Sequence, residues 1–133
     1  NLSTTLVVKR GRAMQIAPAE LEIMNVLWEQ PGLGASEIAE VLASDKSWNI
    51  RTIKTMLGRL VEKGALETEA EGRRYLYRPL VKRGDYRRKE ARQFVDRMFG
   101  GRAAPLVAHL ADGKGLSEED IAELEALLGE LKK

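Results

Sequence analysis

Between residues 50 and 63, Arg51, Thr52, Lys54, Thr55 and Arg59 fall on one side of a helical repeat whose other side is Ile53, Met56, Leu57 and Leu60. Long cations and small hydroxyls are the side chains that reach guanine edges, thymine methyls and phosphates in a major groove. A second cluster follows, in which Arg73, Arg74 and Arg78 accompany Tyr75 and Tyr77. Such residues can reach a neighbouring phosphate backbone or minor groove. Enzyme chemistry has little to work with. The chain has no cysteine and one histidine, His109, which removes disulfides, thiolate metal sites and cysteine nucleophiles. Serines and aspartates are present without a motif that joins them, and His109 lacks ligand-type neighbours. No catalysis, cofactor or metal is expected.

The charge distribution supports the same segment. A formal net charge of +2 over 133 residues conceals a cancellation. Residues 46–92 carry fourteen basic and six acidic side chains, whereas residues 14–45 sum to −6 and residues 103–133 to −4. Asymmetry of this kind points to a polyanionic partner. A solvated Lys/Arg surface would give the same count, so charge alone leaves both readings open. With 44% hydrophobic and 32% charged residues, a soluble globular chain of one domain, or a small domain with an appendage, is expected. Apolar runs such as Leu6-Val7-Val8 are too short to span a bilayer, so no membrane insertion is expected. Asn1–Ala13 places its basic residues after a small apolar patch and lacks the long apolar core of a secretory signal, so a cytoplasmic location is expected. Met14 is a candidate start, which makes residues 1–13 an N-terminal extension.

These side chains need positioning elements, and the periodicity supplies them. From Pro18, a first-turn residue, Leu21, Met24, Leu27 and Trp28 recur at helical spacing until Gln30-Pro31-Gly32. A short helix over about 35–43, with Gly34 as its cap, buries Ile38, Val41 and Leu42. After Ser44-Asp45-Lys46-Ser47, Asn49 caps a third helix, whose stripe is Ile50, Ile53, Met56-Leu57 and Leu60-Val61. Lys63-Gly64 is a basic last turn with a glycine stop. The period then changes. Leu66–Glu69 and Arg74–Arg78 alternate as strands, joined by Ala70-Glu71-Gly72-Arg73 and stopped by Pro79. Asp85 caps a longer helix with Tyr86, Phe94, Val95, Met98 and Phe99 along one side, ended by Gly100-Gly101. A short apolar helix opened by Pro105 follows, then a loop through Asp112-Gly113-Lys114-Gly115. Ser117 starts the last helix in near capping-box form, with Ile121, Leu124, Leu127, Leu128 and Leu131 as its stripe.

Three helices followed by a hairpin is the winged helix-turn-helix order, with the third helix as the recognition helix and the hairpin as the wing. The expected fold class is therefore mainly α with a small β-hairpin. A winged helix-turn-helix domain over 14–82 precedes a three-helix C-terminal dimerisation region over 83–133. The expected DNA-binding residues are Arg51, Thr52, Lys54, Thr55, Arg59, Arg73, Arg74 and Tyr75. Two readings of each part remain open. The third helix could simply be a solvated amphipathic helix, and Tyr75 and Tyr77 could pack the hairpin, although DNA contact is the favoured reading for Arg51, Thr52 and Lys54. A helix with one apolar stripe must bury it against something, and residues 85–131, with two stripes and a short apolar helix, offer little for a separate core. A homodimer using Phe94, Val95, Met98, Ile121, Leu124 and Leu128 solves this and suits a two-fold operator. Folding back onto the N-terminal domain is the other solution. A winged-helix module that binds an acidic protein is the alternative function, and protection of a discrete palindrome against nuclease separates the two.

Several stretches match a known pattern in order from residue 16 to 131. Ala19-Glu20-Leu21-Glu22-Ile23-Met24-Asn25-Val26-Leu27-Trp28 resembles the opening helix of the penicillinase-repressor family. Ile50-Arg51-Thr52-Ile53-Lys54-Thr55 with Arg59-Leu60 is similar to its recognition helix, and Tyr75-Leu76-Tyr77 to its wing strand. Phe99-Gly100-Gly101, Leu106-Val107, Leu116-Ser117-Glu118-Glu119 and Leu124 resemble its dimerisation region. The resemblance implies a winged-helix homodimer that represses transcription from a palindromic double-stranded DNA operator, in a β-lactam or other stress response. Antibiotic-responsive members are inactivated when a partner membrane sensor peptidase cuts an Asn-Phe bond, and the matching position here is His109-Leu110. Copper-responsive members carry a C-terminal cysteine cluster, which this sequence lacks, so a copper sensor of that type is not expected.

Overall fold

A computed structural model of the chain describes residues 15–43, 48–113 and 115–133. The expected extension over 1–13, the 44–47 connection and Lys114 lie outside the described residues. The chain divides into two units, Asn1–Tyr86 and Arg87–Lys133.

In the first unit α1 spans Pro18–Glu29, α2 Ala35–Leu42 and α3 Ile50–Lys63, and the antiparallel strands β1 and β2 span Leu66–Glu71 and Arg74–Pro79. Both α1 and α2 start without a side-chain acceptor at the cap, because Ala17 and Gly34 have none. Instead a glutamate three residues in reaches back: Glu20 Oε1 accepts the Ala17 N–H at 2.8 Å and Glu37 Oε1 accepts the Gly34 N–H at 2.9 Å. Each is half of a capping box, and each places an acid at the positive end of a helix dipole. Helix α3 starts as its sequence predicts, with the Thr52 N–H donating to Asn49 Oδ1 at 2.9 Å. It ends at Gly64, whose φ of 85° is open to glycine and costly for other residues.

The core fills the space between the three helices and the start of β1. Ile23, Met24 and Leu27 of α1, Ile38 and Leu42 of α2, and Ile53, Met56, Leu57 and Leu60 of α3 close over Ala65 and Leu66. Two expected core residues are not there. Val41 is 42% exposed and Ile50 40% exposed; α2 has only room for an i, i+4 pair, and Ile50 sits at the open end of α3. Conversely, Ile23 replaces Leu21 at the centre of the α1 face, and Glu20 is 3% exposed. The Glu20 carboxylate is tied by a salt bridge to Lys63 Nζ, which also donates to the Gln15 carbonyl at 2.7 Å. A buried charge needs such partners.

The wing is longer than its sequence signals. Its strands pair from Leu66↔Pro79 to Glu71↔Arg74, so the turn is Gly72-Arg73 alone, with Gly72 at φ 62°. Ala70 and Glu71 belong to β1, and Pro79 closes the ladder at its end. Leu33 adds a one-residue bridge to the other side of β2: the Tyr77 N–H donates to the Leu33 carbonyl and the Gly32 N–H to the Tyr77 carbonyl, each at 2.9 Å. After the wing, the Trp28 indole N–H donates to the Val81 carbonyl at 2.9 Å. The Arg83 guanidinium lies 5.7 Å from the Trp28 ring and pairs with Glu29 at 2.8 Å. Helix α4 spans Arg83–Phe99, so Asp85 lies inside its first turn rather than at the cap.

In the second unit the remainder of α4 is followed by α5, Ala103–Ala111, and α6, Glu118–Leu131. Ser117 caps α6 as expected: its hydroxyl accepts the Asp120 N–H at 3.0 Å, and Asp120 reaches back to the Ser117 N–H. The rings of Phe94 and Phe99 lie 6.0 Å apart, and those of Phe99 and His109 5.7 Å apart. An apolar groove of about 520 Å³ runs between α5 and α6, lined by Val107, Leu110, Leu116, Leu124 and Leu127 with Asp120 and Glu123 at its rim.

Candidate nucleic-acid interface

Helix α3 is sorted sharply by burial. Ile53, Leu57 and Leu60 have no accessible surface, whereas Arg51, Thr52, Lys54, Thr55 and Arg59 are all exposed. None of Arg51, Lys54 and Arg59 makes an ion pair with another described residue. Among the described residues, nothing compensates their charges. Asn49 fixes the first turn that carries Arg51 and Thr52. Thr55 donates its hydroxyl proton to the Arg51 carbonyl at 3.0 Å, which leaves its methyl and an oxygen lone pair outward.

The wing cations divide into two kinds. Arg73, in the turn, is exposed and makes no ion pair with another described residue. Arg74 and Arg78 fold back on the protein. Arg74 donates to Glu37 at 2.8 Å and to Glu71 at 3.0 Å. Arg78 pairs with Glu69 at 3.4 Å, and its guanidinium lies 3.1 Å from where a Cβ on Gly32 would stand. The register explains this pairing. Cross-strand partners share a face, so Glu67, Glu69 and Glu71 of β1 lie on the same face as Arg78, Leu76 and Arg74 of β2. The opposite face holds Thr68 and Ala70 with Tyr77 and Tyr75. Tyr75 is exposed, whereas Tyr77 is half-buried at the wing base and its hydroxyl pKa is pushed up by that burial.

Lys54, Arg73, Arg74 and Tyr75 come together around one cleft of about 310 Å³, which also takes in Gly34, Ala35 and Ser36 at the start of α2. Arg51, Thr52, Thr55 and Arg59 lie along α3 outside that cleft. Gly34, expected only as a helix cap, also borders the site, and Glu37, which pairs with Arg74, was not among the expected residues. Their signal was present as a glutamate three residues after a helix-capping glycine. The hydrogen bond from the Gly34 N–H, together with the nearby Arg74 charge, holds the Glu37 carboxyl below the ordinary carboxylate range.

Three helices, a two-stranded wing and a cationic outer face on the third helix define a winged helix-turn-helix protein of the DNA-binding class. The family profile described as penicillinase repressor matches residues 16–130. A penicillinase repressor of Bacillus licheniformis is 36% identical over 118 residues, which cover 89% of this chain and 92% of that one. The methicillin resistance regulatory protein MecI of Staphylococcus aureus is 29% identical over 89% of this chain and 96% of its own length. The solution structure of the DNA-binding domain of the repressor BlaI matches with a TM-score of 0.50 at 42% identity, over 54% of this chain and 88% of that domain. This chain belongs to the penicillinase repressor family, whose members are non-enzymatic transcriptional repressors.

Proposed function

We propose that the chain acts in the cytoplasm as a homodimer that occupies a two-fold symmetric DNA operator and blocks transcription. In this reading α3 enters the major groove with Arg51, Thr52, Lys54 and Thr55 leading, Arg59 tracks the backbone, and Arg73 and Tyr75 of the wing reach the adjacent phosphates or minor groove. The observation that carries it is the outer face of α3, where exposed cations without described ion-pair partners stand directly over a fully buried apolar stripe. A purely solvated helix needs no such concentration.

Residues 83–133 supply the dimer interface. Met98 is 59% exposed, and Phe94, Ile121 and Leu128 are exposed with it, while Leu124 is half-buried. Such surface is unusual on a monomer. Val95 is already buried in the single chain, so the proposed interface runs through Phe94 and Met98 and leaves Val95 inside. The His109-Leu110 bond lies within α5, so release by a membrane peptidase would require that helix to unwind first.

Nuclease protection by the purified chain is expected to reveal a palindrome, and Arg51→Ala is expected to weaken binding to it by ~1–3 kcal/mol and relax its sequence preference. Wild-type affinity in that variant refutes the recognition role. Sedimentation is expected to show a dimer, shifted towards monomer by Met98→Glu with Leu128→Glu; a wild-type monomer at micromolar concentration refutes the assembly.

A further inference from the structure

The wing is tied to the helix-turn-helix by a chain of charged groups that begins and ends on carboxylates. Arg74 Nε and Nη2 donate to Glu71 Oε1 at 3.3 and 3.0 Å, and Nη1 donates to Glu37 Oε1 at 2.8 Å. The same Glu37 oxygen accepts the Gly34 N–H at the first turn of α2. Gly34 sits directly beneath: a Cβ there would lie 3.3 Å from the Tyr75 carbonyl and 3.5 Å from both Arg74 Nη1 and Glu37 Oε1. Hairpin, guanidinium, carboxylate and helix N-terminus therefore form one continuous link.

We propose that Arg74 is a positioning residue, a strut held between Glu71 and Glu37 that fixes the wing against α2, and not a contact to the DNA backbone. The inference rests on the DNA-binding reading above. Two carboxylates flank one guanidinium, so the group as a whole is anionic and repels a phosphate. Arg73, one residue earlier, carries no such compensation. The strut borders the cleft that separates Lys54 on α3 from Arg73 and Tyr75 on the wing, so it sets the distance between the two sets of contacts. Its side chains are largely exposed, Arg74 at 52% and Glu37 at 41%. Pairs of that exposure add little to stability, which assigns this one to geometry.

The test uses the full-length chain and a duplex that the wild-type chain selects from a random-sequence pool. Arg74→Gln and Glu37→Gln, the latter retaining an oxygen for the Gly34 N–H, are each expected to weaken binding roughly threefold to tenfold, the loss of about one net hydrogen bond. The double variant is expected to bind no worse than either single one, and the dependence of affinity on salt is expected to keep the wild-type slope. In the free protein, amide exchange at Tyr77 and Gly32 is expected to speed up in both variants as the wing loosens. A phosphate-contact role predicts the opposite pattern: Arg74→Gln flattens the salt slope by about 0.9 for each protomer, and Glu37→Gln tightens binding by releasing the cation. That pattern, or wild-type affinity and exchange in both variants, overturns the strut. A wild-type chain that selects no duplex overturns the DNA-binding reading instead, and the exchange rates then decide the strut alone.

Discussion

Replacing Lys54 by alanine removes one of four cations, Arg51, Lys54, Arg59 and Arg73, that are exposed on α3 and the wing turn without a described ion-pair partner. Each displaces about 0.9 counterion from a duplex when it neutralises a phosphate. A dimer presenting eight such groups should show a slope of log affinity against log salt of about −7, a loss of roughly ten-thousandfold between 50 and 200 mM. Lys54→Ala removes two of the eight and should bring the slope to about −5. The difference between variant and wild type therefore narrows by roughly tenfold over the same salt range. Fluorescence anisotropy on a labelled duplex across a salt series measures both lines. Lys54 is exposed and makes no ion pair with a described residue, so the melting temperature should hardly move, and any slope change then reports on the interface. Parallel lines for the two proteins would show that Lys54 touches no phosphate and would refute the count. An unchanged slope in Arg74→Gln beside a flattened one in Lys54→Ala is the contrast that separates strut from contact.

Two further perturbations test the scaffold. Leu57→Ala opens a cavity under α3, where the side chain has no accessible surface, and should cost ~2–5 kcal/mol in a denaturant titration; a loss below ~1 kcal/mol would mean that the core can collapse around it. Glu37 has its pKa lowered chiefly by the Gly34 N–H, which outweighs the opposing effect of desolvation, with Arg74 lowering it further. A depressed folded-state pKa gives stability that is present above the ordinary carboxylate range and is lost as pH falls through the lowered value. The stability gap between wild type and Glu37→Gln should therefore close on acidification, and a gap that stays constant through that range would refute the linkage.

Local rules made much of this structure legible. The α3 stripe apart from Ile50, its Asn49 cap and its Gly64 stop are properties of residues at most four apart, and each appears where the sequence puts it. The same holds for the Ser117 cap of α6. What failed depended on groups far apart in the chain. Burial of Glu20 is sustained by Lys63 across 43 positions, and an acid at a helix start otherwise reads as solvated. The Leu33–Tyr77 bridge joins a loop to a strand that no period connects. Val41 and Ile50 carry the apolar character of core residues but are exposed, with no described neighbour covering them. Asp85 is a good capping residue, yet the helix starts before it.

The charge count illustrates the same limit at the site itself. Counting residues 46–92 as strongly basic treats every cation as available, but availability is set by register. Once β1 and β2 pair from Leu66↔Pro79 to Glu71↔Arg74, the glutamates at 67, 69 and 71 are placed on the face of Arg74 and Arg78, and those two charges are compensated before any partner arrives. A shift of register by one residue would move the glutamates to the other face and leave both arginines free. The proposed polyanion-binding surface is therefore narrower than the sequence suggests: the outer face of α3 with Arg73 at the wing tip. On the proposal above, Arg74, paired with Glu37 of α2, holds the wing part of that surface in place. If the strut holds, specificity for a duplex depends on a residue that need never touch it, because a displaced wing would miss the backbone beside the groove that α3 enters.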